Sequence, residues 1–234
     1  MVRLMLGRVK YFGSESGLYF IQTMRQLKVA PYITRSDSGT ENVGVAAIQA
    51  VLHAEFNASD TLPDKHHQFV ASTRNIKIEA LWSRFLKAKG FTLMDTLKEG
   101  FEIGIYDPED TFEYFLFLYI WIPLIQRYLT EYLEHCNSLR RQKTKNSILP
   151  TEKPNICFYN PLQFSGLECG FEVNESVLKF LEMEYCSNSS SLIYIPSEFK
   201  DSADLLFSKL QFGQYDVCSA WDVFTVMKTT WENI

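Results

Sequence analysis

Asp37 and Glu79 are the residues whose type and setting best suit them to chemistry. Asp37 lies in I-T-R-S-D-S-G-T-E-N (residues 33–42), just past an apolar run and before a helix. Glu79 lies in S-T-R-N-I-K-I-E-A-L-W (residues 72–82), in the first turns of an amphipathic helix. Carboxylates on neighbouring elements can hold Mg²⁺ for phosphoryl transfer, because hard divalent cations take oxygen ligands. Each acid alone has a plainer use: an aspartate in a D-S-G turn, and a surface acid on a helix. Before Asp37 the only acidic residue is Glu15, in a loop-like stretch.

The elements that must position these two acids follow from spacing. Residues 2–9 read as a strand, and Leu18, Ile21, Met24 and Leu27 repeat at helical spacing over residues 18–28. Residues 32–34 read as a short buried strand that delivers Asp37 at its C-terminal end, the end at which ligands gather in open α/β sheets. Asn42 suits the cap of a helix over residues 43–56, with Val45, Ile48, Val51 and Leu52 on one face. Residues 57–67 read as a loop and residues 69–71 as a strand. The Glu79 helix follows and stops at Gly90. On it Ile78, Leu81, Trp82 and Phe85 form the apolar stripe, and Asn75, Glu79, Ser83 and Lys87 one polar ridge.

Further on, residues 92–99 read as helical. The sequence D-P-E-D (residues 107–110) reads as a helix start, with Asp107 as cap and Pro108 at the first position. That helix reaches about residue 137 with a kink point at Pro123, and its aromatic first half should be buried. Residues 156–159, 171–173 and 192–195 read as strands. Residues 177–182 and 204–210 read as helices, and residues 186–191 as a flexible break.

The chain has 234 residues, 46% of them hydrophobic, enough for one good-sized core or one domain with an appendage. A mean hydropathy of -0.11 and 22% charged residues exclude a disordered chain. The net charge of -5 gives no global mark of a nucleic-acid binder. The charge is uneven. Residues 1–150 hold 18 Lys and Arg against 16 acids, so the remaining residues hold 5 against 12. Arg74, Lys77, Arg84, Lys87 and Lys89 surround Glu79, and Arg140, Arg141, Lys143 and Lys145 form a second basic cluster. Five cysteines without a C-x-x-C pair read as reduced thiols in an intracellular protein. His66-His67 has no cysteine pair nearby and does not read as zinc-binding. The most apolar run, residues 115–125, falls short of the roughly 18 residues needed to span a bilayer and reads as a core helix. The first residues are too short and too charged for a signal peptide.

Two of these segments also resemble a known family. The strand–D-S-G-T-E-N–helix segment is similar to the stretch around the second acid of DDE-type integrase cores. Ser72, Asn75, Ile78, Glu79 and Trp82 match the S-x-x-N-x-x-I-E-x-x-W pattern of the helix that carries the third acid. H-C-N-S-L-R-R (residues 135–141), P-L-I-Q (123–126) and K-P-N-I-C-F-Y (153–159) resemble later parts of integrase-like genes of mobile elements. The resemblance covers residues 18–159. It implies an α/β, RNase H-like mixed sheet flanked by helices, lacking the first strands, with a helical extension and a small α+β tail. It implies Asp37 and Glu79 as catalytic and metal-holding residues, and Asn75, Lys77, Ser83 and Lys87 as DNA contacts. The cofactor would be Mg²⁺ or Mn²⁺, held in the family by three acids as a two-metal centre.

The family's first acid has no counterpart before Asp37, and the sheet would carry an unpaired edge where its first strands belong. The expectation is therefore an N-terminally truncated core over residues 1–137, a basic linker over 138–155 and an acidic α+β region over 156–234. Its expected setting is DNA integration or transposition, with DNA as partner, no membrane, and a homo-oligomer as one option. The expected location is intracellular, and nuclear if it works on DNA. Because the triad is incomplete, the chain as given is expected not to catalyse. The alternative is a non-catalytic, domesticated remnant that binds DNA or a protein partner, with the acidic, aromatic-rich tail (residues 192–234) either a docking surface or, as is commoner, part of the core.

Overall fold

The computed structural model describes residues 14–56, 66–71, 76–143, 145, 147–186 and 194–233. The chain is mixed α/β and mostly helical, and it divides into two compact units. One comprises Met1–Glu79 and Asn137–Leu192, the other Ala80–Cys136 and Ile193–Ile234. The acidic C-terminal part is shared between these units, because its first half packs with the N-terminal elements and its second half with the long central helix.

In the first unit, α1 (Ser14–Leu27) packs on α2 (Val43–Phe56) and α7 (Glu175–Cys186). Its Leu18, Ile21 and Met24 are buried with Ile48, Leu52, Leu178 and Leu181. The helical spacing of those residues therefore gives the core face as expected. Glu15 lies in the first turn of α1, not in a loop. Arg25 of α1 holds α7 at two points, donating from Nε to Glu175 at 2.9 Å and from Nη2 to Glu182 at 2.6 Å.

Two short strand pairs complete this unit. β1 (Val29–Pro31) pairs antiparallel with β4 (Gly170–Glu172), and β2 (Thr34–Ser36) pairs in parallel with β3 (His67–Phe69). Several strand expectations shift. Tyr32 and Ile33 are 37% and 56% exposed and separate β1 from β2, so there is no buried strand over residues 32–34. β3 starts two residues before the expected strand because His67 and Gln68 pair with β2. Residues 156–159 are helical, within α6 (Pro154–Tyr159), where Pro154 at the first position pre-sets the helical φ. The strand expected at residues 2–9, the loop at 57–65 and the break after Cys186 lie outside the described residues. So does the first half of the strand expected at 192–195, of which Tyr194 and Ile195 are not in a strand.

The second unit is helical. It holds most of α3 (Ile76–Phe85), then α4 (Phe91–Glu102), nearly all of α5 (Thr111–Ser138), α8 (Ser197–Leu210) and α9 (Ala220–Glu232). Trp121, Leu116, Ile120 and Leu124 of α5 meet Trp221, Phe224 and Met227 of α9 in one core. The aromatic C-terminal tail is thus core. α5 begins later than expected, with Asp110 as its cap: Asp110 Oδ1 accepts from the Glu113 amide at 2.9 Å. Asp107 instead closes the preceding turn, accepting from the Glu109 amide. Glu113 reaches back to the Asp107 amide at 2.8 Å and pairs with Lys228. The helix runs on through Pro123, and Tyr215 Oη donates to the nearby Ile120 carbonyl at 2.9 Å. Among the described residues no helix is long and apolar enough to cross a membrane.

Gly90 does not end the Glu79 helix. A π turn (Leu86–Gly90) carries α3 directly into α4, and Gly90 is helical and buried. A Cβ there would lie 2.8 Å from Leu86 Cδ2, the movable end of an exposed side chain. Gly100 serves a closer approach: a Cβ would lie 2.1 Å from the Trp221 ring, whose Nε1 donates to the Thr96 carbonyl at 2.7 Å.

Two stability outcomes follow. Gly100→Ala forces that ring aside and is expected to cost about 1–3 kcal/mol, as overpacking does. All four tryptophans lie in the second unit, so urea unfolding followed by tryptophan fluorescence reads this loss directly. Arg25→Met, on a partly exposed pair network, is expected to cost about 1 kcal/mol. That loss should appear in unfolding followed by circular dichroism while the tryptophan transition stays in place.

Candidate functional site

The site begins with β2. Its sequence T-R-S has no large apolar residue to bury, and its strand pairing is reinforced by side chains. Thr34 and Ser36, two apart, fall on one face. Across from them, His67 of β3 lies between the two hydroxyls. Its Nδ1 is 2.8 Å from Thr34 Oγ1 and its Nε2 is 3.0 Å from Ser36 Oγ. Burial pushes the His67 pKa down, which keeps the ring neutral at pH 7.

One nitrogen of a neutral ring donates and the other accepts. Ser36 Oγ also donates to the Asp37 carbonyl at 2.9 Å, whereas Thr34 Oγ1 is 3.4 Å from the His66 carbonyl. The shorter bond assigns the proton to Nε2: His67 donates to Ser36 and accepts from Thr34. In that arrangement His67 takes no proton from Ser36. The cluster ties β2 to β3 and does not activate a nucleophile.

Asp37 follows β2 directly, at its C-terminal end, as its spacing implied. A 3-10 turn (Thr40–Asn42) then leads into α2. Asn42 Nδ2 donates to Asp37 Oδ1 at 2.6 Å, and the Asn42 amide donates to the Gly39 carbonyl at 3.0 Å. The Asn42 side chain thus braces Asp37, and the turn, not a single cap residue, starts α2.

Glu79 is exposed on α3, the helix after β3. Ser83 and Lys87 are also exposed; Lys87 falls in the π turn, so regular helical spacing from Glu79 holds only as far as Phe85. Asn75 and the side chain of Lys77 lie outside the described residues. Among the neighbouring cations, Arg84 Nε turns back to the Ala80 carbonyl, and Lys89 lies 5.5 Å from the centre of the Tyr128 ring. In the second basic cluster, Arg140 pairs with Glu152 at 2.8 Å, which holds the Glu152 carboxyl below the usual carboxylate range.

None of the family models, curated proteins or solved structures compared with the chain matches it. Among the described residues no group of three or more His, Cys, Asp or Glu side chains is placed to hold a metal ion. The reading of the site therefore rests on its own geometry and on the motif resemblance.

A second polar cluster, in the same unit, was not anticipated. Gln49 and His53 of α2 are buried, as is His66 before β3. Gln49 Nε2 donates to the Pro31 carbonyl at 2.6 Å and to His53 Nε2 at 3.1 Å. The His53 and His66 rings stack with centres 3.6 Å apart. The signal available in sequence was Gln49 and His53 at i, i+4 on the apolar face of α2.

Removing the Asn42 brace should loosen the Asp37 turn. Asn42→Ala is expected to raise hydrogen exchange of the residue-42 amide about tenfold, the equivalent of one charge-assisted hydrogen bond of about 1.4 kcal/mol. Amide exchange by NMR would measure it, with the α5 amides unchanged.

Proposed function

We propose that this chain is an integrase core-like protein of the DNA integration and transposition class. Asp37 and Glu79 stand at the second and third acid positions of an RNase H-like core. The observation that carries the reading is the order of elements: β2, Asp37, α2, a parallel β3, then α3 with Glu79. That order supports the resemblance because Asp37 falls at a strand end next to a parallel neighbour, where open α/β sheets bind ligands.

The donor set does not fit a two-metal centre. Two carboxylates suit a single Mg²⁺ or Mn²⁺ completed by waters. A clamp on both the attacking and the leaving oxygen needs more ligands than Asp37 and Glu79 supply. No step of strand transfer is therefore assigned to these residues. The non-catalytic reading has its support in the cations along α3 and the turn after it; the Asn42–Asp37 bond gives Asp37 a structural use in the turn and leaves its other acceptor sites open. Under it the chain binds DNA through the α3 face, with Ser83 and Lys87 exposed there and Asn75 and Lys77 preceding them in sequence.

The test is binding and cleavage of labelled duplex DNA by the purified chain, with Mg²⁺, Mn²⁺ or EDTA. The expected result is binding that persists in EDTA, with no nicking. Lys87→Ala should weaken binding evenly across sequences and reduce the salt slope by about 1. Metal-dependent nicking abolished by both Asp37→Asn and Glu79→Gln would establish a complete active site instead. Absence of DNA binding at low salt would end the reading altogether.

A further inference from the structure

The polar cluster under β1 leaves two buried polar atoms without partners and depends on an acceptor that a proton would remove. Gln49 uses both amide hydrogens, one on the Pro31 carbonyl and one on His53 Nε2. His53 Nε2 must therefore be an acceptor, and Nδ1 carries the ring proton. That Nδ1–H is buried without a hydrogen-bond partner, and so is Gln49 Oε1. The His53 side is 4% exposed and His66 8% exposed. Phe171 of β4 meets the His53 ring edge-on at 5.3 Å.

A second proton on His53 could go only to Nε2. It would turn the acceptor of the Gln49 bond into a donor facing a donor. Gln49 would have to rotate its oxygen toward the ring, and its amide would then leave the Pro31 carbonyl. The same proton would put a cation in a buried site, face to face with a second imidazole 3.6 Å away. The groups placed against the His53 ring are the Gln49 amide, the His66 ring and the Phe171 ring, with the carbonyls of Pro31 and Tyr32 nearby. Glu55 on α2 and Glu172 on β4, the carboxylates next along those elements, are exposed.

We propose that Gln49, His53 and His66 form an acid-sensitive latch that fastens α2 to the end of β1 and to the start of β3, and that protonation of His53 opens it. The segments released are those that carry the Tyr32 and Thr34 amides and, through His66, the β3 strand. Tyr32 donates to the Cys169 carbonyl, Thr34 to the His66 carbonyl at 2.9 Å, and Val70 to the Ser36 carbonyl at 2.8 Å. Desolvation, aided by His66 and partly offset by the carbonyls of Tyr32 and Pro31, lowers the His53 pKa in the closed form. The sign follows: a depressed folded-state pKa gives stability that is present above the unfolded value of about 6.5 and is lost as pH falls below it. The latch does not depend on the polynucleotide reading of Asp37 and Glu79.

The test is amide hydrogen exchange on the full chain, without DNA or metal, expressed as protection factors so that the intrinsic pH dependence cancels. Complete exclusion of one proton from the closed form at pH 5 sets the upper limit, about a thirtyfold change relative to pH 7.5. Protection at Tyr32, Thr34 and Val70 is expected to fall severalfold within that limit, while α5 keeps its protection. His53→Gln, which still accepts from Gln49 but cannot titrate, should abolish the fall at Tyr32; His67, set between Thr34 and Ser36, adds its own response at Thr34 and Val70. No fall at Tyr32, an equal fall in α5, or a full response at Tyr32 in His53→Gln would overturn the latch. Should that variant not fold, the His53 ring carbons of the wild type decide: a ring neutral in the closed form below pH 6 supports the latch, and titration at about 6.5 overturns it.

Discussion

Two parallel strands cannot be joined by a tight turn, and the first unit is organised around that constraint. The chain leaving β2 has to travel back before it can run beside it again as β3, which requires a long crossover. Here α2 supplies the return. A helix used that way must bury a face, so Ile48 and Leu52 enter the core and bring α1 against them. α7 then closes on α1, fastened by Arg25. The turn between β2 and α2 is left at the strand end, and Asp37 occupies it. The position of that acid is a consequence of the crossover, not of any contact made for its own sake.

The two units solve their packing in different currencies. The second is held by interlocking aromatic rings and long aliphatic side chains, with few polar groups inside. The first has short strands with little apolar surface, and it inserts polar groups between its elements: Thr34, Ser36 and His67 across the parallel pair, Gln49, His53 and His66 beneath the antiparallel one. A buried hydrogen bond fixes position more sharply than apolar burial does, but it is costly when one partner changes state. Buried polar clusters between elements therefore mark the first unit, while the second holds an ion pair on the buried Glu113, with Lys228.

What the sequence displayed was the one-dimensional part of this arrangement. α1, α2, α4, α7 and α8 are legible because their apolar residues repeat at helical spacing. The run I-C-F-Y in α6 is rich in strand formers and reads as a strand, although Pro154 marks a helix start. α9 carries no clear helical signal because A-W-D-V-F-T-V-M-K-T-T-W mixes β-branched and aromatic residues throughout, and its packing against α5 makes it helical. Gly90 has the residue type of a helix end but lies inside a continuous helical stretch. Asp37 is legible because the strand, turn and helix around it are consecutive in sequence. The His67 tie and the Gln49–His53–His66 cluster were not, because each needs a strand register or a ring stacking between residues far apart in sequence.

The Asn42–Asp37 bond bears on both readings of the acid pair. An ionised carboxylate has room for several hydrogen bonds, so one amide on Oδ1 orients the group without exhausting it. The brace alone therefore leaves metal binding chemically open. A two-metal centre needs several converging carboxylates. Affinity for a polyanion has no such requirement. The segment from Lys77 to Lys89 carries Lys77, Arg84, Lys87 and Lys89 against Glu79, a positive surplus along one continuous helical stretch. A phosphate backbone is attracted by that surplus whether or not a cation sits on the acids. On the proposed reading, binding can therefore outlast catalysis, because the charges that hold a nucleic acid are distributed along a helix while the charges that cut it must converge at a point.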